Sequence, residues 1–511
     1  MPGLLLFAYC YGLLGLASIQ VSAYWMTAQI PLQLLPIVAD KPSVTNKLLR
    51  RCKLVLFANT HSPGAPRGTV IASPSHKNPD YYYHWVRDAS ISFMSVLDMI
   101  QSSSQDPAQP HPELERLLDD YAQLSKQHQE SPFARSGLGE PKFYVDGSPF
   151  MAEWGRPQND GPALRALVLV EYAQFILKHR PSRKEFVQTL LYDSRLPTQS
   201  VIKRDLEYIS QQWHAPSFDL WEESLGTHFF TRMVQHAALV SGAQLAMALN
   251  DRPAADWYLI QAQHIESALH LHWDPIKKHL LATVDWKGGL SSKTSQLDIA
   301  VIIASLVATS FNSTHSAIYA PWDDRILSTL IRYTDTMSTL YPINANTSAQ
   351  VVVGRYPEDV YDGLGFSKGN PWPLATCALA EHVYNVVGHW CQARSILLTY
   401  TTLDYINRYA GSTISEPIGT LGGSIIWTDK VFKQIVQALV QHGDKIIDRV
   451  SSLSNLEENH GNLELSEQWN ASTGAKQGAQ LLTWSAVSLL RAIRSRKQTA
   501  DNCHPLITNS I

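Results

Sequence analysis

What most limits the fold of this chain is a pair of segments that are apolar on almost every side. Phe229–Leu249 runs through Val, Ala, Leu and Met with few charges, and Leu164–Leu177 is similar. A helix without a polar face must be covered on several sides. Other stretches keep a single greasy stripe. After Pro112, which suits a first helical position, Leu114, Leu117, Leu118, Tyr121 and Leu124 recur at helical spacing, while Glu113, Glu115, Asp119 and Asp120 fall elsewhere. That helix is expected on the outside. Further helical patterns lie near 43–57, 88–101, 200–213, 253–273, 296–309, 323–340, 374–388, 391–407, 428–449 and 478–495, about thirteen in all, and hairpin signals are few. Buried inner helices mixed with amphipathic outer ones predict an all-α fold in two concentric layers, a toroid. A straight solenoid is the competitor, but a fixed repeat of roughly 34 to 47 residues is missing. In a toroid the loops at one end converge on a central pocket, so chemistry belongs in the long loops.

At 511 residues the chain suits one large domain or two to three ordinary ones, and 45% apolar residues exclude a disordered or fibrous protein. Forty-two Lys and Arg against 45 Asp and Glu leave a net charge of −3, which argues against a nucleic-acid partner held by a basic field. The sequence has no P-loop, strand-then-GxGxxG, HExxH or EF-hand pattern, so no cofactor or metal is expected. Residues 4–17 (LLLFAYCYGLLGLA), followed by small residues at Val21-Ser22-Ala23, resemble a secretory signal peptide covering 1–23, although Lys and Arg are absent before the apolar run. A buried N-terminal helix is the alternative. The expected organisation is then an N-terminal segment 24–42, a helical body 43–497 and a polar, frayed tail 498–511, without a tethered accessory module. No other apolar run is long enough to span a membrane. A monomer in the secretory pathway, extracellular or vacuolar, is expected. Acceptor sequons at Asn312, Asn346 and Asn470 are compatible with that route. Beyond the signal, Cys52, Cys377, Cys391 and Cys503 allow three pairings.

Five loop segments differ in composition from the helices around them: NPDYYYHWVRD (Asn78–Asp88), WGRPQNDGPALR (Trp154–Arg165), DLWEESLG (Asp219–Gly226), GRYPEDVYDGLGFSKGNPW (Gly354–Trp372) and SEQW (Ser466–Trp469). All concentrate Trp, Tyr, Arg and carboxylates. A sugar pocket needs this mixture, because pyranose rings offer C–H faces to aromatic rings and hydroxyls that require charged partners once desolvated.

In order and content these segments resemble the conserved regions of glycoside hydrolase family 15, the fungal and yeast glucoamylases, and the similarity runs from about residue 45 to 495. The resemblance implies an (α/α)6 barrel of six inner and six outer helices. It also implies an exo-acting enzyme that releases β-D-glucose from non-reducing ends of α-1,4-glucans such as starch, dextrins and glycogen, cutting α-1,6 links more slowly, with inversion. Carried over residue by residue, Glu222 matches the general acid, Glu223 the adjacent substrate-binding carboxylate and Glu467 the general base. Inversion needs a protonated carboxyl at the leaving oxygen and an ionised one activating water opposite. Tyr81 and Trp85 match an aromatic platform beside the cleaved bond. Arg87 and Asp88 match the pair that holds the terminal glucose. Trp154 matches a tryptophan near the acid, Arg355 and Asp359 line the adjacent subsite, and Trp372 is expected as a sugar-stacking wall. Trp221 is expected to desolvate the acid, and Asp219 to tune it or support the loop.

Bland alternatives accompany several of these. Glu222–Glu223 read alone as an acidic helix start, Asp88 as an N-cap, Arg355–Asp359 as a structural ion pair, Asp160 as a helix cap and Trp484 as core packing. Asp362–Lys368 stands out as an extra loop beside the pocket wall, and a glycan at Asn470 would crowd the entrance. The rival functions are an inverting toroid glucosidase acting on α-1,6 glucans or trehalose, and a sugar-binding homologue without catalysis. A purely structural scaffold does not explain aromatic and charged residues gathered in loops. Two carboxylates in opposed protonation states predict a bell-shaped pH dependence with an acidic optimum.

Overall fold

The computed structural model describes residues 44–60, 62–102, 111–310, 317–345, 350–456 and 462–508. The signal-like segment, residues 24–42, residues 103–110 and the sequons at Asn312 and Asn346 lie outside the described residues.

The helices alternate between two layers. The chain begins with α1 (Val44–Asn59) outside and α2 (Val86–Ser102) inside. The pattern repeats with α3 (Pro112–Gln129) and α4 (Asp160–His179), then α5 (Val201–Gln212) and α6 (Phe229–Ala248). It continues with α7 (Arg252–Leu269) and α8 (Ile299–Ser310), then α9 (Asp324–Ser338) and α10 (Pro373–Ala393). A short α11 (Tyr400–Tyr409) precedes the last outer and inner pair, α12 (Lys430–Ser454) and α13 (Thr483–Thr508).

The inner members close a ring. Helix α2 packs on α4, α4 on α6, α6 on α8, α8 on α10, α10 on α13, and α13 again on α2. The two segments that are apolar all round are inner helices: Leu164, Leu167, Leu169 and Ile176 of α4 and Phe229, Val234 and Leu239 of α6 are fully buried. Each such side chain contributes about 1.5–3 kcal/mol of burial. The outer helix α3 turns its Leu114–Leu118–Tyr121–Leu124 stripe inward, as its spacing predicts. Glu115 is a surprise on that helix, since it is buried. Arg180 and Arg183 compensate its charge at 2.9 and 3.2 Å.

Two boundaries differ from the sequence expectation. No break occurs near 388–391. Instead α10 runs on to Ala393 and ends at Arg394, whose φ of 55° is left-handed. Gly388 keeps the helix going against α13, because a Cβ there would stand 3.1 Å from the Thr499 hydroxyl. The polar stretch 498–508 is not a frayed tail but the end of α13. Its Cys503 is bonded to Cys391 of α10 and Thr499 Oγ1 donates to the Tyr384 carbonyl, so cross-linking and packing hold a polar sequence helical. Cys52 and Cys377 are free and buried. The strands are short. The largest sheet among the described residues joins Ser217–Phe218, Ser224–His228 and Thr283–Gly289 in antiparallel order.

Candidate active site

Each inner helix is entered from a loop, and these loops meet. Residues 81–85 lead into α2, 154–159 into α4, 219–228 into α6, 293–298 into α8, 355–372 into α10 and 466–482 into α13. Five of the six are the segments singled out by composition. The sixth, Lys293–Asp298, escaped notice. The regular alternation of the fold is the signal that finds it, because an inner helix without a site loop would break the pattern. Six helix N-termini turned toward one pocket also favour the carboxylates gathered there.

Glu222 is held by four donors. Its Oε1 accepts from Trp85 Nε1 at 2.7 Å, Gln158 Nε2 at 3.1 Å and Arg87 Nη2 at 3.3 Å, and its Oε2 accepts from Trp154 Nε1 at 2.7 Å. It is not a helix start. Its φ is +69°, a conformation that costs a non-glycine residue energy and collects at functional sites. The turn is fixed by Glu222 N donating to the Asp219 carbonyl, while Asp219 Oδ1 accepts from the backbone N–H of Glu223 and Ser224.

Arg87 bridges three carboxylates: Glu222, Asp88 at 3.4 Å and Asp160 at 3.4 Å. Asp88 sits inside the first turn of α2 rather than at its N-cap, and burial pushes it up to about 6 against the pull of Arg87. Asp88 Oδ2 and Arg87 Nε are buried without a hydrogen-bond partner, and buried orphans of this kind are costly unless a ligand satisfies them. Asp160 is the first residue of α4, with Asn159 at the N-cap, and is fully buried beside Arg87.

Glu223 faces the other way. Its Oε1 accepts from Arg355 Nη2 at 2.8 Å, and its Oε2 accepts from the Tyr356 hydroxyl at 2.7 Å and lies 3.1 Å from Lys293 Nζ. Arg355 also grips Asp359 through two parallel bonds of 2.7 and 2.8 Å. The Arg355–Asp359 pair is thus structural and part of the pocket at once. Lys293 lies 2.7 Å from Asp219 and 3.9 Å from Asp298. Burial opposes the charge on Asp219, but Lys293 outweighs it and holds the carboxyl down at about 2. Burial pushes Asp298 up to about 7, and that carboxyl accepts the Trp221 indole at 3.0 Å.

Glu467 is completely buried. Tyr81 donates to its Oε1 at 2.8 Å, and Ala479 N and the Tyr361 hydroxyl donate to its Oε2 at 3.1 and 3.2 Å. Burial pushes this carboxyl up to about 7, while those donors and the Arg355 charge pull it down. The rings of Tyr81 and Trp85 lie 5.4 Å apart, centroid to centroid. Glu467 hangs from the first and Glu222 from the second, so the two carboxylates are anchored to neighbouring rings.

The remaining candidates sort themselves by exposure. Trp154 is 39% exposed, the most open tryptophan at the site. Trp372 is 5% exposed and packs against Trp221, Tyr361 and the Arg355 guanidinium. Its ring is covered and its Nε1 is buried without a hydrogen-bond partner, unlike the open stacking wall expected. Trp484 is core and floor together, lying near Trp221 and under Arg87. Sequence reasoning missed Tyr361, Tyr356, Gln158 and Lys293, which touch the carboxylates above, and Asp298, which accepts from Trp221 and lies near Lys293. The extra loop 362–368 is pinned by Asp362, whose Oδ1 accepts from Leu364 N and Gly365 N, and it leaves Phe366 exposed. The Asn470 side chain is engaged locally: its amide donates to Gln477 and its oxygen accepts from Ser472 N and Thr473 N.

The family pattern described as "Glycosyl hydrolases family 15" matches residues 54–494. The chain belongs to this family. Among family 15 relatives, the glucoamylase of Blastobotrys adeninivorans is 37% identical over 455 residues, covering 87% of this chain and 70% of the relative. Glucoamylase GLA1 of Saccharomycopsis fibuligera is 33% identical, covering 85% of each. A solved glucoamylase structure from Saccharomycopsis fibuligera superposes with a TM-score of 0.78 at 30% identity, over 90% of this chain and 96% of the other. A family 15 glucoamylase from Hypocrea jecorina gives a TM-score of 0.76 at 28% identity, over 89% and 72%. The layered ring of helices is accordingly the family's (α/α)6 barrel.

Proposed function

We propose that this protein is a glucoamylase: an exo-acting, inverting hydrolase that releases β-D-glucose from the non-reducing ends of α-1,4-glucans and cuts α-1,6 links more slowly. The observation that carries the mechanism is the pair Glu222 and Glu467, each fixed by its own donors and anchored to the neighbouring Trp85 and Tyr81 rings. Glu222 donates its proton to the glycosidic oxygen as the C1–O bond breaks. Glu467 removes a proton from water, whose oxygen bonds to C1 from the opposite face, so an α link yields a β product. Four donors around Glu222 stabilise the carboxylate left when its proton departs. Arg87 and Asp88 bind the terminal glucose, and Asp88 Oδ2 and Arg87 Nε, neither engaged in a hydrogen bond, supply a hydroxyl's acceptor and donor. Arg355, Asp359 and Glu223 line the next subsite, with Asp219 and Lys293 beneath them.

Following the anomer released from maltotriose tests substrate and stereochemistry together. β-Glucose as the first product supports the proposal. α-Glucose, or turnover of dextran or trehalose without maltotriose, overturns it. Glu222→Gln should abolish turnover while keeping maltose binding, which separates catalysis from the sugar-binding alternative.

The apolar segment 4–17 supports a secretory route. A relative from Saccharomyces cerevisiae, 32% identical, is named an intracellular, sporulation-specific glucoamylase, so fractionation of expressing cells decides the compartment. No helix among the described residues is long and apolar enough to cross a membrane. A monomer is the assembly we propose, checked by light scattering.

A further inference from the structure

Lys142 is a buried cation that the mechanism above does not use. It lies on a two-residue strand opposite Trp85 and is 2% exposed. Among the described residues it forms no ion pair. Four aromatic rings surround its ammonium instead: Nζ lies 3.3 Å from the ring centroid of Trp154, 4.0 Å from Phe150, 4.4 Å from Tyr83 and 4.5 Å from Trp85. Burying an ammonium is expensive, and aromatic faces return only part of the lost hydration. Burial accordingly pulls Lys142 down to about 8. A neutral residue would fill this space more cheaply, so the charge needs a reason.

Two of the four rings provide one. Trp85 and Trp154 are the indoles that donate to the two oxygens of Glu222, each at 2.7 Å. A cation against an indole face fixes the ring by electrostatic attraction. It also draws electron density from the ring, which makes the N–H a stronger donor, as expected when linked polar groups polarise one another. Both sharpened donors aim at the group that becomes an anion during the reaction.

We propose that Lys142 is a positioning residue for Glu222, its ammonium locking the Trp85 and Trp154 indoles and strengthening their N–H bonds to the carboxylate left by proton transfer. This rests on the assignment of Glu222 as the acid. Lys142 itself feels the charges of Glu222, Asp80 and Arg156. Glu222 is faced by Arg87, Asp88 and Asp160 as well as Lys142. Those partners stay in place when Lys142 is changed, so a change at 142 isolates its contribution.

The test compares Lys142→Met with Lys142→Arg in the full chain, using maltotriose. In K142M, kcat should fall at least about tenfold with KM changed less than about threefold. The alkaline limb of its kcat profile should move up by about half a unit or more, because the conjugate base of the acid has lost support. K142R should restore most of kcat and the limb. If K142M does not fold, K142Q takes its place in the same comparison. A folded neutral variant with the native kcat and alkaline limb overturns the proposal. So does one that loses thermal stability and affinity while the limb stays fixed. Activity persisting in Glu222→Gln would instead strike the acid assignment, which keeps the two failures distinguishable.

Discussion

Gly478 offers a direct test of how finely Glu467 is placed. Its φ is +71°, and a Cβ built there would lie 2.1 Å from Glu467 Oε2. Real Cβ atoms are almost never closer than 3.0 Å, so in Gly478→Ala the carboxylate must retreat by roughly 1 Å to escape steric overlap. The retreat strains the bonds that Oε2 accepts from Ala479 N and Tyr361. A displacement of that size at a reacting group costs about 100-fold in rate, and alanine in a left-handed conformation costs about 1–2 kcal/mol of stability. The expected result is a kcat on maltotriose lowered about 100-fold with KM little changed, since Arg87, Asp88 and Arg355 are untouched. Thermal unfolding should fall by a few degrees. Gly365→Ala is the control, because no atom lies within 4 Å of its Cβ position and its φ is not in the left-handed range. Released glucose in a coupled assay and a melting curve suffice. A G478A enzyme with native kcat would refute the claim that Glu467 acts from this position.

Tyr81→Phe removes a donor to the Glu467 carboxylate. Its pKa should rise, so the acid limb of the kcat/KM profile should move to higher pH, and an unmoved limb would separate Glu467 from that limb. Burial pushes Glu467 up to about 7, so the native acid limb should lie nearer neutrality than for an ordinary carboxylate, above the acidic optimum expected from two opposed carboxylates. Lys293→Met leaves the buried Asp219 without its cation and should cost about 3–5 kcal/mol in denaturant unfolding; a native midpoint would refute this. Stability should also depend on pH. Burial holds His84, His272 and His382 near 3 and His236 and His442 near 4. Their unfolded forms take up protons below about 6.5, so the stability they contribute is lost as pH falls from there toward 4. Asp88, Asp298 and Glu467, held high by burial, act in the opposite sense over the same interval. The imidazoles outnumber them, so the melting temperature should drop between pH 6.5 and 4, and a rise would contradict the assignment.

Periodicity revealed the helical layers because a helix buried on all sides, like α6, can show no polar face. It misjudged the C-terminus because composition cannot see that Cys503 reaches Cys391 or that Thr499 packs on α10. At the site, motifs rich in Trp, Tyr and carboxylates stood out against helical surroundings. Lys293, Asp298 and Lys142 did not, since a lysine or aspartate in a plain loop or strand looks like ordinary solvated charge until its burial is known.

By itself the sequence determined which segments must be covered and which loops gather Trp, Tyr, Arg and carboxylates, because these depend on local spacing and residue type, while the candidate carboxylates came from the resemblance of those loops to glycoside hydrolase family 15. Only the tertiary structure decided that Trp85 and Trp154 converge on Glu222, that Tyr81 and Tyr361 converge on Glu467, and that Arg355 joins Glu223 to Asp359. Donor geometry and desolvation arise between residues as far as 386 positions apart, and closing the helical ring is what brings them together.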